Sequence, residues 1–212
     1  MATILYDYWR SSAAYRVRIA LNLLGEPFEA VSVDLLAGAH RGPDNLARNK
    51  QGLVPSLEID GAMLTQSVAM LEYLDETRNA GFLPQDPLGR ARVRALSYAI
   101  AMEIHPVCNL SVAKFGAELS AGKIDMKGWM HAFIPPRLAA FEAMLDDPAT
   151  GRFCHGDAIS LADLCLVPQI YNARRWAVDL APLPRIQAIM AALEQIPEIA
   201  AAHPDHFAPE KD

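Results

Sequence analysis

Residues 3–35 read TILYDYWRSSAAYRVRIALNLLGEPFEAVSVDL, and the change of hydrophobic period along this stretch decides the fold of the first part of the chain. Thr3 to Tyr8 is rich in β-branched and aromatic residues, a strand signal. From Ser11 the period becomes helical, with Val17, Ala20, Leu21 and Leu24 on one face and Gly25 as the stop. Phe28 to Leu35 returns to alternation through Val31 and Val33. Strand, helix and strand in that order make a βαβ unit whose crossover predicts two parallel strands.

Further along, Val54 to Ile59 and Ala62 to Leu64 are short β-like runs joined by Asp60-Gly61, a dipeptide suited to the positive φ angles of a tight hairpin turn. A helical pattern starts at Gln66, carries Val68, Leu71 and Leu74, and runs to about Arg78. The resulting order is βαβ(α)ββα. Asn79 to Gly89 concentrates turn formers and prolines and reads as a linker. Beyond it, Arg90 to Leu119, Met126 to Leu145, Ser160 to Trp176 and Leu183 to Ile196 are helical in period, with almost no strand signal. Pro106 and Pro168 fall inside these patterns and are expected to kink or interrupt them. The expectation is an α/β domain over residues 1–81 and an all-α domain over residues 90–212. His203 to Asp212, rich in proline and charge, reads as a loosely held tail.

Composition narrows the function classes. The 212 residues are 52% hydrophobic and 21% charged, enough apolar material for packed cores and too much for a disordered chain. The net charge of -6, without a long basic run, gives no electrostatic footprint for nucleic acid or an anionic membrane surface. No apolar run approaches the roughly 18 residues of a membrane span, and Met1 leads straight into the first strand pattern, without a secretory leader. Three cysteines, Cys108, Cys154 and Cys165, form no CxxC pair and no disulfide framework, which fits a reducing cytoplasm. The partner expected is a small anionic molecule.

Several residues carry chemistry, each with a structural alternative. Ser11 and Ser12 follow Arg10 at the strand-to-helix junction, where hydroxyls and helix N–H groups face one space at the positive end of the dipole; the alternative is a plain helix cap. Val54-Pro55 opens a strand and is either an ordinary trans proline or a cis bond that leaves the preceding backbone for an outside partner. Gln66-Ser67, at the next strand-to-helix junction, offers an amide, a hydroxyl and helix N–H groups to a carboxylate, or simply caps its helix. His40 is a donor to a carboxylate or a solvated loop residue. His105 and Cys108 lack the second ligand pair that zinc requires, so no metal is expected. Ser160 and Asp163 form an S-x-x-D pattern that opens an apolar helix, a structural motif whose loss through Asp163→Ala costs about 1 to 2 kcal/mol.

Taken together, Ser11, Val54-Pro55 and Gln66-Ser67 resemble the thioredoxin-like N-terminal domain of glutathione transferases. Arg10-Ser11-Ser12-Ala13-Ala14-Tyr15-Arg16-Val17-Arg18-Ile19-Ala20-Leu21 is similar to the zeta-class SSCxxRVRIAL signature. Leu83 to Pro87, Asn109 to Val112, Ala162 to Gln169 and Val178 to Pro182 also resemble zeta-class segments, so the likeness spans nearly the whole chain. It implies a thioredoxin-like domain followed by a helical one, glutathione as cofactor, and a homodimer. It further implies that Ser11 hydrogen-bonds the glutathione thiolate, that Ser12, His40, Gln51, Val54, Gln66, Ser67, His105, Asn109, Leu110 and Ser111 line the glutathione site, and that Arg10 and Arg175 grip substrate carboxylates. Without the resemblance, Arg175 reads as a surface salt-bridge residue.

The activity implied is cis–trans isomerisation of maleylacetoacetate to fumarylacetoacetate in aromatic amino-acid catabolism. Maleylpyruvate isomerisation, glutathione transfer to haloacids, peroxide chemistry and a non-catalytic binding module are the alternatives. Three positions depart from the family pattern. Ala13 replaces the usual cysteine, Asn49-Lys50 replaces Asn-Pro, and Ser111 stands where some maleylpyruvate isomerases carry arginine, which leans the substrate toward maleylacetoacetate.

Overall fold

The computed structural model describes residues 2–209. Its elements are β1 (Thr3–Asp7), α1 (Ser12–Leu23), β2 (Phe28–Ser32), α2 (Pro43–Arg48), β3 (Ser56–Ile59), β4 (Ala62–Thr65), α3 (Ser67–Arg78), α4 (Pro87–Tyr98), α5 (Leu110–Leu119), α6 (Met126–Met144), α7 (Leu161–Arg175), α8 (Pro184–Leu193) and α9 (Pro197–Ala201). They fall into two compact units. One is built from the first 80 residues together with the segment from Glu194 onward, and the other from Gly81–Leu193.

The first unit is a four-stranded mixed sheet in the order β2-β1-β3-β4. β1 pairs parallel with β2, as the βαβ reading requires, and antiparallel with β3. β3 and β4 form the expected hairpin, with Asp60 at φ 53° and Gly61 at φ 78° in its turn. α1 departs from the one-faced helix that the period suggested. It packs with α3 and α9, and Ser12 and every residue from Ala14 to Leu21 is buried, including Arg16 and Arg18. Each arginine therefore needs an internal partner. The stretch from His203 also departs from expectation, because its described part is not loose: Pro204 is buried and Phe207 stacks on Phe28, while residues 210–212 lie outside the described residues.

The hairpin turn is tied to the end of α3. Arg78 donates to both Asp60 carboxylate oxygens at 2.7 and 2.9 Å, and the Tyr73 hydroxyl donates to Oδ2 at 2.6 Å. These donors hold the Asp60 carboxyl down at about 2, below its ordinary 3.8. A depressed folded-state value gives stability that is present above the unfolded value and is lost as pH falls through the folded one. Thermal unfolding of Asp60→Asn is therefore expected to lie below wild type at neutral pH, with the gap closing as pH drops from about 4 toward 2. A gap that stays constant with pH counts against this coupling.

The second unit is helical. Asp86 caps α4 by accepting from the Gly89 N–H at 2.7 Å, with Pro87 in the first turn where its missing N–H costs nothing. α4 passes into a π-helical turn, Ala99–Ile104, and the chain breaks before Pro106, so the long helical period divides as its proline foretold. α7, in contrast, runs through Pro168 without ending, and α6 likewise holds Pro135 and Pro136 in its interior. The buried Glu142 carboxylate on α6 accepts from the Arg185 and Ile186 N–H groups, both at 2.9 Å. It thus satisfies the first N–H groups of α8 with a negative charge at the positive dipole end. No described helix is long and apolar enough to cross a membrane.

Candidate functional site

In the first unit, the candidate residues sit on the loops that leave β1, precede β3 and follow β4. Ser11 is the N-cap of α1, extended at φ -67° and ψ 117°, with Oγ accepting from the Ala14 N–H at 3.2 Å. A hydroxyl accepts and donates at once, so this cap bond leaves the Ser11 proton for an outside acceptor. The first turn of α1 holds no acidic residue to compete for the helix dipole. Ser12 is buried behind it. Arg10 is exposed, its guanidinium 4.0 Å above the Trp9 ring.

The loop before β3 takes its shape from two buried asparagines. Asn49 Nδ2 donates to the Leu53 carbonyl at 3.1 Å, and Asn49 Oδ1 accepts from the Gln51 N–H at 3.0 Å. Asn45 Nδ2 donates to the His40 carbonyl at 2.8 Å. Lys50, which replaces the family's proline, is exposed and leaves that frame intact. The Val54-Pro55 bond is cis, and the β3 ladder begins only at Ser56, so Val54 precedes the paired strand.

Gln66 occupies the junction of β4 and α3 at φ 67°, an unusual conformation for a non-glycine residue. Its Nε2 donates to Gln51 Oε1 at 2.7 Å, which brings those two predicted residues together. The Ser67 hydroxyl accepts from Arg16 Nη1 at 3.2 Å, with both residues buried. Arg16 thus places a cation directly behind the Gln66-Ser67 turn. Sequence reasoning did not single it out, although it is the first arginine of the quoted R-V-R run. His40 lies in a 3-10 turn, Ala39–Arg41. Its buried Nδ1 has no hydrogen-bond partner among the described residues, and burial, with the Arg41 charge, holds its pKa below the ordinary value. It is neutral at neutral pH, so it offers a hydrogen bond rather than a charge.

In the second unit, His105 follows the π-helical turn, and Asn109 caps α5. Asn109 Oδ1 accepts from the Ser111 N–H at 3.2 Å and from the Ser111 hydroxyl at 3.1 Å, so these two predicted residues meet. Leu110 and Ser111 are exposed in the first turn of α5. Arg175 ends α7, exposed, with its guanidinium 5.8 Å from the Tyr171 ring.

None of the protein's thiols is set up as a nucleophile. Burial pushes the Cys108 thiol up to about 11 and raises Cys154 well above its ordinary value. Cys165 is buried in α7. The residues around Ser11, Gln66 and Ser67 offer an anionic molecule a hydroxyl donor at one helix N-terminus, and an amide, N–H groups and a buried arginine at another.

The chain is similar to known proteins over nearly its whole length. Residues 1–76 match the family model "Glutathione S-transferase, N-terminal domain", and residues 109–202 match "Glutathione S-transferase, C-terminal domain". The chain is 62% identical to a maleylacetoacetate isomerase of Rhizobium meliloti (strain 1021) over 209 residues, 98% of each chain. Among solved structures, it is similar to the maleylacetoacetate isomerase of Methylobacterium extorquens AM1 with bound malonate and glutathione, at 40% identity and TM-score 0.91, covering 98% of this chain and 100% of that one. It is equally similar in fold to the holo form of a bacterial maleylpyruvate isomerase of the zeta class, at 38% identity and TM-score 0.91, covering 99% and 100%.

Proposed function

Because the chain belongs to the glutathione S-transferase family and to its zeta class, we propose that it is a glutathione-dependent cis–trans isomerase that converts maleylacetoacetate to fumarylacetoacetate. The observation that carries this reading is Ser11, whose hydroxyl caps a helix free of first-turn acids in a chain whose own thiols are buried. When bound, glutathione supplies the thiolate whose reversible addition to the cis double bond permits rotation, and it is recovered unchanged.

The chain's residues do the rest. Ser11 donates to the thiolate while the N-terminus of α1 favours its negative charge. Gln66, the Ser67 N–H and the Arg16 behind it receive the γ-glutamyl carboxylate, the Val54 backbone pairs with the cysteinyl portion, and Ser12, His40, Gln51, His105, Asn109, Leu110 and Ser111 complete the cofactor's surroundings. Arg10 and Arg175 orient the anionic ends of the substrate and stabilise charge that builds on its carbonyl oxygen, since a guanidinium stays charged and binds carboxylates through two parallel donors. A homodimer, a cytoplasmic location and a domain division at residues 81 and 90 belong to the same proposal, with the segment from Glu194 onward assigned to the first unit rather than to the second.

The test is absorbance-monitored isomerisation with sub-stoichiometric glutathione. Turnover beyond the glutathione added is expected with maleylacetoacetate. The similarity to a maleylpyruvate isomerase makes maleylpyruvate the second acid to assay, and faster turnover of it reverses the order of substrates. Consumption of glutathione one-for-one marks a transferase, and no turnover of either acid by glutathione-bound protein overturns the isomerase reading.

A further inference from the structure

The resemblance that singled out Ser11 says nothing about why its turn holds still. Between β1 and α1 the chain reverses through Tyr8, Trp9, Arg10 and Ser11, closed by the Ser11 N–H donating to the Tyr8 carbonyl at 2.7 Å. The Trp9 carbonyl, in the middle of that reversal, accepts from Arg18 Nη2 at 3.0 Å. Arg18 lies two turns into α1, and helical side chains lean toward the N-terminus, so its guanidinium reaches back beneath the turn. Its Nη1 donates to Asp7 Oδ2 at 2.6 Å, which ties the end of β1 to the same group.

Arg18 is 0% exposed. Its guanidinium faces are covered by aromatic rings, Tyr15 with its centroid at 5.3 Å and Phe207 at 4.4 Å. Phe207 comes from the far end of the chain. It is held there by stacking on Phe28 at the start of β2, with centroids 6.4 Å apart and planes at 11°, while His203 meets the Tyr15 ring edge-on at 6.2 Å. A buried ion pair is strong only while water is kept from it, because its attraction scales inversely with the local dielectric. Burial pushes the Asp7 carboxyl above its ordinary value while Arg18 pulls it down, so a charged Asp7 relies on the Arg18 guanidinium being held in place beside it.

We infer that Phe207 is a positioning residue for Ser11: its ring seals Arg18, and Arg18 in turn fixes the Trp9 carbonyl and the turn that presents the Ser11 hydroxyl. The closing segment of the chain thereby sets the accuracy of a thiolate-binding group more than 190 positions earlier in sequence. The inference rests on the proposed role of Ser11. Its geometric half, from Phe207 through Arg18 to the turn, does not.

Phe207→Ala and Phe207→Leu separate the two halves. In the free protein, amide hydrogen exchange at residues 8–14 is expected to rise about tenfold in Phe207→Ala and less in Phe207→Leu, which keeps apolar cover but loses the ring, while exchange in β3 stays unchanged. In the glutathione complex, ultraviolet titration of the thiolate is expected to give a higher pKa for Phe207→Ala, with kcat down about tenfold and KM for the acid nearly constant. Wild-type exchange across residues 8–14 in both variants overturns the inference, whatever the enzyme's substrate proves to be. Faster exchange with an unaltered thiol pKa overturns its link to Ser11. A wild-type protein that isomerises neither acid removes the functional reading and leaves the exchange result standing. If Phe207→Ala does not fold, Phe207→Leu carries the same readouts.

Discussion

Ser11→Ala is expected to lower turnover by about 10- to 100-fold and to raise the pKa of the bound glutathione thiol by about one to two pH units. The magnitude follows from what the substitution removes and what it leaves. A hydrogen bond to a charged group is worth about 1.5 to 3 kcal/mol, and each 1.4 kcal/mol is a factor of ten in an equilibrium or a rate. The α1 N-terminus, with its N–H groups and no acid in the first turn, remains in the variant and keeps part of the thiolate stabilisation, so activity falls without vanishing. The same change also deletes the cap to Ala14, at about 0.5 to 2 kcal/mol of stability, so melting temperature has to be followed alongside. Ser11→Thr keeps a hydroxyl that both accepts and donates, and is expected to recover most of the thiol ionisation. A thiol pKa identical in wild type and Ser11→Ala would show that the serine is only a cap, and would move the search for the thiolate partner elsewhere on the turn.

The parts of this protein legible in its sequence are those set by neighbours in the chain. The β1-α1-β2 unit follows from a change of period within 33 residues, and the β3-β4 hairpin from a two-residue turn that demands positive φ. Ser11 and Gln66 fall at strand-to-helix junctions, where backbone donors lack partners, yet residues there also read as plain helix caps, and only the family resemblance gives them a role at a cofactor. What the sequence concealed are pairings across long separations. Arg16 and Ser67 lie 51 positions apart, and neither arginine of the R-V-R run can be told from a solvated one until α3 and α9 cover α1. The tail misled for a related reason: proline and charge describe its composition accurately, yet Phe207 is the residue that matters, and one aromatic gives no periodic signal. Pro168 shows the converse. Its local preference against helix interiors is overridden in α7, where Leu161 to Ile170 are all buried and tertiary packing outweighs one lost backbone bond.

The second large effect is expected at Asp163, and the structure enlarges it beyond the cap reading. Its carboxylate, 0% exposed, accepts from the Ser160 N–H at 2.8 Å, from the Ser160 hydroxyl at 2.7 Å, and also from the Cys154 N–H at 2.9 Å, which ties the loop before α7 to the helix itself. The period-based reading assigned only the local bonds to Ser160, hence about 1 to 2 kcal/mol. Asp163→Ala strands the Cys154 N–H and both Ser160 donors in a dry interior, where each unsatisfied group costs about 1 to 3 kcal/mol, so about 3 to 5 kcal/mol is expected once neighbours relax. For a chain of this length that corresponds to a fall in melting temperature of about 10 °C. Asp163→Asn is no rescue: with one acceptor oxygen it serves one side of the site while its NH2 faces a donor on the other. Burial pushes the Asp163 carboxyl above its ordinary value with the Cys154 and Ser160 donors opposing, and both of its oxygens are taken up by those internal donors. Accordingly, glutathione affinity measured by calorimetry below the lowered melting point is expected to match wild type. A folded Asp163→Ala with wild-type stability, or one whose glutathione affinity collapses, contradicts the purely structural role.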